Sequence, residues 1–110
     1  MNDYSRHLIN LLIDKTVQGL LPWRQGGSLG EYRVELNFAT FSILRSYNAN
    51  SELCIIVNLF KENGQEINIA KLTSDNIDFL LLENLYTSAE SYYRKDTEEI
   101  INVINTLAKL

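Results

Sequence analysis

The sequence predicts one α+β domain: an N-terminal helix, a four-stranded antiparallel β-meander and two C-terminal helices, or one kinked helix in their place. Three observations predict it. Apolar residues recur at a helical period from about Asp3 to Gln18, the period falls to two from Glu31, and neither Gly nor Pro occurs from Thr73 onward. Consecutive strands flanked by helices belong to α+β architectures, with the helices mainly on one face of an antiparallel sheet.

In the first segment Ile9, Leu12, Ile13, Thr16 and Leu20 make one stripe, widened by Leu8 and Leu11, with Asp14 and Lys15 opposite. Gly19 is placed to end this helix in a left-handed cap, and Pro22 forbids its continuation. A connector rich in glycine follows to Gly30. Tyr32, Val34 and Leu36 then alternate with Arg33, Glu35 and Asn37, as a half-buried strand does. A second strand carries Phe41 and Ile43 against Ser42 and Leu44. The third has Leu53, Ile55, Val57 and Leu59 on one face and Cys54, Ile56 and Phe60 on the other, which suits an interior strand.

The hairpin at Lys61–Gln65 admits two registers. A three-residue loop with Gly64 in the left-handed bulge position opposes Leu59 to Ile67 and Val57 to Ile69, gathering aliphatics on one face, and is preferred over a two-residue turn at Asn63 and Gly64. The fourth strand spans about Glu66 to Lys71. Thr73, Ser74 or Asp75 then caps a helix whose apolar residues form two neighbouring stripes, Ile77, Leu81, Leu85 and Tyr92 beside Phe79, Leu82, Tyr86, Ala89 and Tyr93. Asp96 and Glu99 have capping-box spacing, so a new helix or a kink is expected near Arg94–Asp96.

Composition narrows the function more by exclusion than by indication. The 110 residues suit a single domain, 45% of them apolar and 22% charged, which excludes fibrous and disordered classes. A net charge of −4 with scattered cations argues against nucleic acid as a partner. The N-terminal segment lacks the cationic flank of a signal peptide and no apolar run is long enough for a membrane span, so the expected address is cytoplasmic.

The run Leu12-Ile13-Asp14-Lys15-Thr16, followed by Gly19, Trp23, Gly30, Tyr32 and an alternating strand, is similar to that of small uncharacterised bacterial proteins, several of them associated with mobile genetic elements. The resemblance implies a helix, a β-meander and a helical tail, and a bacterial or phage origin. It rests on fold-determining residues and implies no catalytic role for any of them.

Candidate chemistry is sparse. His7 is the only histidine and lies near the start of the first helix, without a second metal-ligating or triad residue at useful spacing. Cys54 reads as a small buried hydrophobe rather than a reactive thiol. The Gly26–Gly30 segment opens a strand and carries no Lys, unlike a phosphate-binding loop. The pairs Asp75 and Asp78, and Glu98 and Glu99, sit at expected helix starts, where negative charge is stabilising on structural grounds. No catalytic residue, cofactor or metal site is therefore expected.

What remains is surface. Trp23 and Arg24 could anchor a partner, although Trp23 is read first as a plug where the first helix meets the sheet. Leu44, Ile56 and Phe60 lie on the second sheet face, which is covered either by the helical tail or by another chain. Tyr86, Tyr92 and Tyr93 have the amphipathic rings of an interface. These eight residues are the candidate interface. The expected function is a small cytosolic protein-interaction module without catalytic activity, encoded by a phage or mobile element, with a protein partner or a second copy as its target. A small-ligand pocket between sheet and helices, bounded by Trp23, Tyr32 and Arg33, is the alternative.

Overall fold

A computed structural model describes residues 1–110. Helix α1 covers Asp3–Val17, strands β1 to β5 cover Arg24–Gln25, Glu31–Glu35, Ala39–Tyr47, Leu53–Lys61 and Glu66–Thr73, and helix α2 covers Phe79–Ala108. The strands form one antiparallel sheet in chain order. The α+β class stands, with two corrections of detail. The sheet has a fifth strand, β1, and the C-terminal part is one continuous helix of 30 residues. No helix is long and apolar enough to cross a membrane.

Local chemistry accounts for most boundaries. Asn2 caps α1 by accepting the Ser5 amide at 2.8 Å. At the other end the Gly19 amide reaches the Thr16 carbonyl and the Leu20 amide reaches the Lys15 carbonyl, at 2.9 and 3.0 Å. Those two bonds are a Schellman motif, which closes a helix on its own orphan carbonyls. The strand β1 was not foreseen because two residues carry no periodicity. It exists because Arg24 pairs with Arg33 and Gln25 with Tyr32.

The β4–β5 hairpin takes the three-residue loop. Gly64 has φ of 86°, its amide bonds the Lys61 carbonyl at 2.8 Å, and Leu59 opposes Ile67 as expected. Further along, Val57 opposes Ala70 instead of Ile69, because an irregularity between Val57 and Asn58 inserts one residue into β5. The shift brings Ala70, 6% exposed, beneath the helices.

The helix α2 starts later than Thr73–Asp75. β5 runs to Thr73, and Asn76 organises the turn by accepting the Asp78 amide at 2.8 Å. Asp78 is not a side-chain cap; its two carboxylate oxygens accept Nε and an Nη of Arg6 on α1, both at 3.2 Å. The helix is not interrupted between Arg94 and Asp96. Thr97 instead donates its hydroxyl to the Tyr93 carbonyl at 3.0 Å, an ordinary intrahelical bond, and the Asp96 to Glu99 spacing is that of two acids on consecutive turns.

Both helices pack on one face of the sheet. The core unites Ile9 and Leu12 of α1, Val34, Phe41, Ile43, Ile55 and Val57 of the sheet, and Phe79, Leu82, Leu85, Tyr86 and Ala89 of α2. Only the first half of α2 takes part. From Ile100 onward every residue is exposed, and the molecule measures 54 × 34 × 24 Å because the helix runs on past the sheet.

Candidate functional site

The eight interface candidates fall in five separate places. Trp23 is in the core, 3% exposed, and its indole Nε1–H donates to the buried Thr16 hydroxyl at 2.8 Å. Arg24 is exposed on the edge strand β1. Leu44, Ile56 and Phe60 lie half-buried on the sheet face away from the helices. Tyr86 is 5% exposed and lies 5.4 Å from Tyr32, ring centre to ring centre, while Tyr93 stands 5.6 Å from Tyr32. Tyr92 points elsewhere, into a groove between α1 and α2 that also contains Val17, Lys95, Asp96 and Glu99.

The tyrosine cluster is a packed rim rather than an open surface. The Arg45 guanidinium lies 5.5 Å from the Tyr86 ring centre, and the Tyr93 hydroxyl meets Gln25 Oε1 at 3.3 Å. Burial pushes the Tyr32 and Tyr86 hydroxyls above the ordinary phenol value, Tyr86 and Glu90 acting in the same direction at Tyr32 and Glu90 at Tyr86. Both hydroxyls stay protonated at neutral pH, and neither is tuned toward acid–base work.

Part of the open sheet face carries a linked polar cluster around Glu31. Arg33 lies over the Phe60 ring at 4.9 Å and reaches back with Nε to Glu31 Oε2 at 3.0 Å. Glu31, 7% exposed, also accepts the Ser42 hydroxyl at 2.6 Å and the Ser28 amide at 3.1 Å. Burial alone would raise the Glu31 carboxyl, but the bonds from Ser42, Ser28 and Arg33 together hold it below the usual carboxylate value. The connector thus closes over Glu31, and Gly30 joins it to β2. Its φ is 76° and a Cβ there would lie 2.7 Å from the Arg45 carbonyl oxygen.

The three residues proposed to bound a ligand pocket are not brought together around one. Trp23 is core, Tyr32 is in the aromatic rim on the helix side, and Arg33 is on the opposite sheet face. Cys54 is buried at 2% exposure, beside a depression of about 390 Å³ at the sheet edge that includes Lys71, Asp75 and Asn76. No three His, Cys, Asp or Glu side chains gather as a metal site would require.

The surface that sequence reasoning missed is the projecting half of α2. Ile100, Ile101, Val103, Ile104 and Leu107 are 49–62% exposed. They do not point at random. Eighteen residues are five turns of an α-helix, so positions 18 apart share one angular position. Phe79, Leu82, Leu85, Tyr86 and Ala89, the five buried residues of α2, project onto Thr97, Ile100, Val103, Ile104 and Leu107. The stripe that packs on the sheet therefore continues along the tail with aliphatic residues at four of five places and nothing opposite them. Ile100, Val103 and Ile104 also line a shallow depression of about 400 Å³ with Asp96 and Glu99. The projection follows from length. A 30-residue helix is about 45 Å long, whereas a nine-residue strand spans about 30 Å.

No protein-family model matches this chain, and neither a curated protein nor a solved structure resembles it significantly.

Proposed function

We propose that the chain is a protein-docking module without catalytic activity, whose docking element is the projecting half of α2. The observation that carries this reading is the five-turn repeat: the tail presents the pattern that α2 buries in the body, with no layer over it. Fully burying a Val, Leu or Ile side chain stabilises by about 1.5–3 kcal/mol, so five aliphatics left about half exposed forgo roughly 1 kcal/mol each. Contiguous apolar patches of this kind are uncommon on monomers and mark interaction surfaces.

The composition of the tail points the same way. Residues 100–108 include four β-branched aliphatics and two asparagines, all weak helix formers. Such a segment gains little from being a free helix in water and much from being packed. The aromatic rim and the ion-paired open face lack this imbalance, because their groups already satisfy one another. Origin in a phage or mobile element is compatible with such a module and rests on the sequence resemblance alone.

The test is affinity capture from the native host with the wild-type chain and Ile104→Asp as matched baits. Retained protein, untagged copies of the chain included, should appear with wild type and fall away with Ile104→Asp. Identical sets on both baits would end this reading.

A further inference from the structure

We infer that the occupant of the tail is a second copy of this chain, laid antiparallel across it; this rests on the docking reading above and adds the identity and direction of the partner. Three features on the page lead there. The first is charge. From Ile100 to Ala108 there is no charged residue, and the polar side of the tail carries only Asn102, Asn105 and Thr106. The stripe itself offers no charge for a phosphate-rich or acidic partner to pair with, and the cations that flank it, Arg94, Lys95 and Lys109, are offset by Asp96, Glu98 and Glu99. The occupant must itself be an apolar stripe.

The second feature is spacing. Thr97, Ile100, Ile104 and Leu107 are separated by three, four and three residues, the repeat of a helix–helix seam. That order reads the same in reverse. When two copies run antiparallel, Ile100 of each faces Ile104 of the other and Leu107 faces Thr97, giving four layers about a two-fold axis beside Asn102. Ile101 and Val103 flank the seam on opposite sides, each next to its own symmetry mate. Closed two-fold pairing of this kind satisfies both copies at once.

The third feature is steric and fixes direction. The tail stripe occupies the same angular positions as the face that packs on the sheet, so a helix laid on it continues in line with this copy's own sheet. In a parallel pair both sheets would need the space between the two helices. In the antiparallel pair each tail ends against the base of the other, and the two bodies lie at opposite ends. The surface involved is short, about 18 Å of helix at 1.5 Å per residue, which places the contact at the small end of specific interfaces. A reversible dimer with a dissociation constant on the order of 10–100 µM is the expected strength.

The experiment uses the purified full chain. Sedimentation equilibrium should show a monomer–dimer equilibrium for wild type, weakened at least about 30-fold by Ile104→Asp, with an unchanged urea midpoint at low micromolar concentration. Direction is read by mixing Ile100→Cys chains with Ile104→Cys chains under oxidising conditions. The antiparallel pair predicts the mixed disulfide in clear excess over either self-linked species. In that pairing Ile100 of one copy lies about 6 Å along the axis from Ile100 of the other, and the lateral gap between packed helices adds to it, which disfavours a self-linked disulfide. Self-linked species in excess would overturn the antiparallel arrangement. A wild-type chain that stays monomeric to several hundred micromolar would overturn self-pairing, while host capture lost in Ile104→Asp would leave docking itself standing.

Discussion

The single tryptophan hangs from α1 by one bond: the Trp23 indole donates to the Thr16 hydroxyl at 2.8 Å, and that hydroxyl donates in turn to the Leu12 carbonyl at 2.6 Å. Both side chains are nearly inaccessible, Trp23 at 3% and Thr16 at 4%. Replacing Thr16 with Val keeps the shape and removes the acceptor, leaving a buried N–H unpaired. The expected loss is about 1–3 kcal/mol. It should appear as a lower urea midpoint with an unchanged slope, followed by tryptophan fluorescence.

Acid should weaken the fold through Glu31. Its folded-state pKa is held below the ordinary value of 4.5, so the stabilisation it provides is fully present above that value. It is lost as pH falls from there through the folded-state pKa. Asp78, lowered by its bond and charge contact with Arg6, adds in the same direction. In Glu31→Gln the stability curve should be shallower below pH 4.5 and lower by about 1–3 kcal/mol at neutral pH. Urea melts across the acid range would show both effects; parallel curves for wild type and variant would refute the assignment.

Gly30→Ala should destabilise well beyond the loss of backbone freedom. A left-handed φ costs an L-residue roughly 1–2 kcal/mol, and the added Cβ meets the Arg45 carbonyl oxygen, a backbone atom, at 2.7 Å. Thermal unfolding of Gly30→Ala beside Gly27→Ala gives the comparison, since a Cβ on Gly27 meets nothing within 4 Å. A drop for the first and little change for the second is expected.

The fold was legible where one signal has one meaning. Gly19 followed by Pro22 stops a helix, Gly64 sets a bulged loop, and the two-residue alternation of Tyr32, Val34, Phe41 and Ile43 is a strand face. It was less legible where a signal is shared. Asp96 and Glu99 are spaced as a capping box, but two surface acids on successive turns of an uninterrupted helix are spaced the same way. The extra residue in β5 beside Val57 leaves no mark in composition, and two residues at Arg24–Gln25 cannot display a period. The tail was the hardest case. An apolar stripe such as Ile100, Ile104 and Leu107 looks identical in sequence whether or not something covers it, and only the end of the sheet shows that nothing in this chain does.

The two halves of α2 should respond oppositely to truncation. Leu82 is fully buried, and Leu82→Ala is expected to cost about 2–5 kcal/mol. Ile104, 57% exposed, holds the same angular position as Tyr86 five turns away. Ile104→Ala should change the stability of the dilute monomer by no more than about 0.5 kcal/mol. Denaturant melts at low micromolar concentration separate the two.

Amide hydrogen exchange along α2, followed from dilute to several hundred micromolar protein, tests the central claim most directly. At dilution Phe79–Tyr93 should be protected and Thr97–Ala108 nearly unprotected, with protection of the tail rising as concentration rises. A tail that is already as protected as the first half of the helix at dilution, or one whose exchange ignores concentration, would contradict a face that is covered by a second copy.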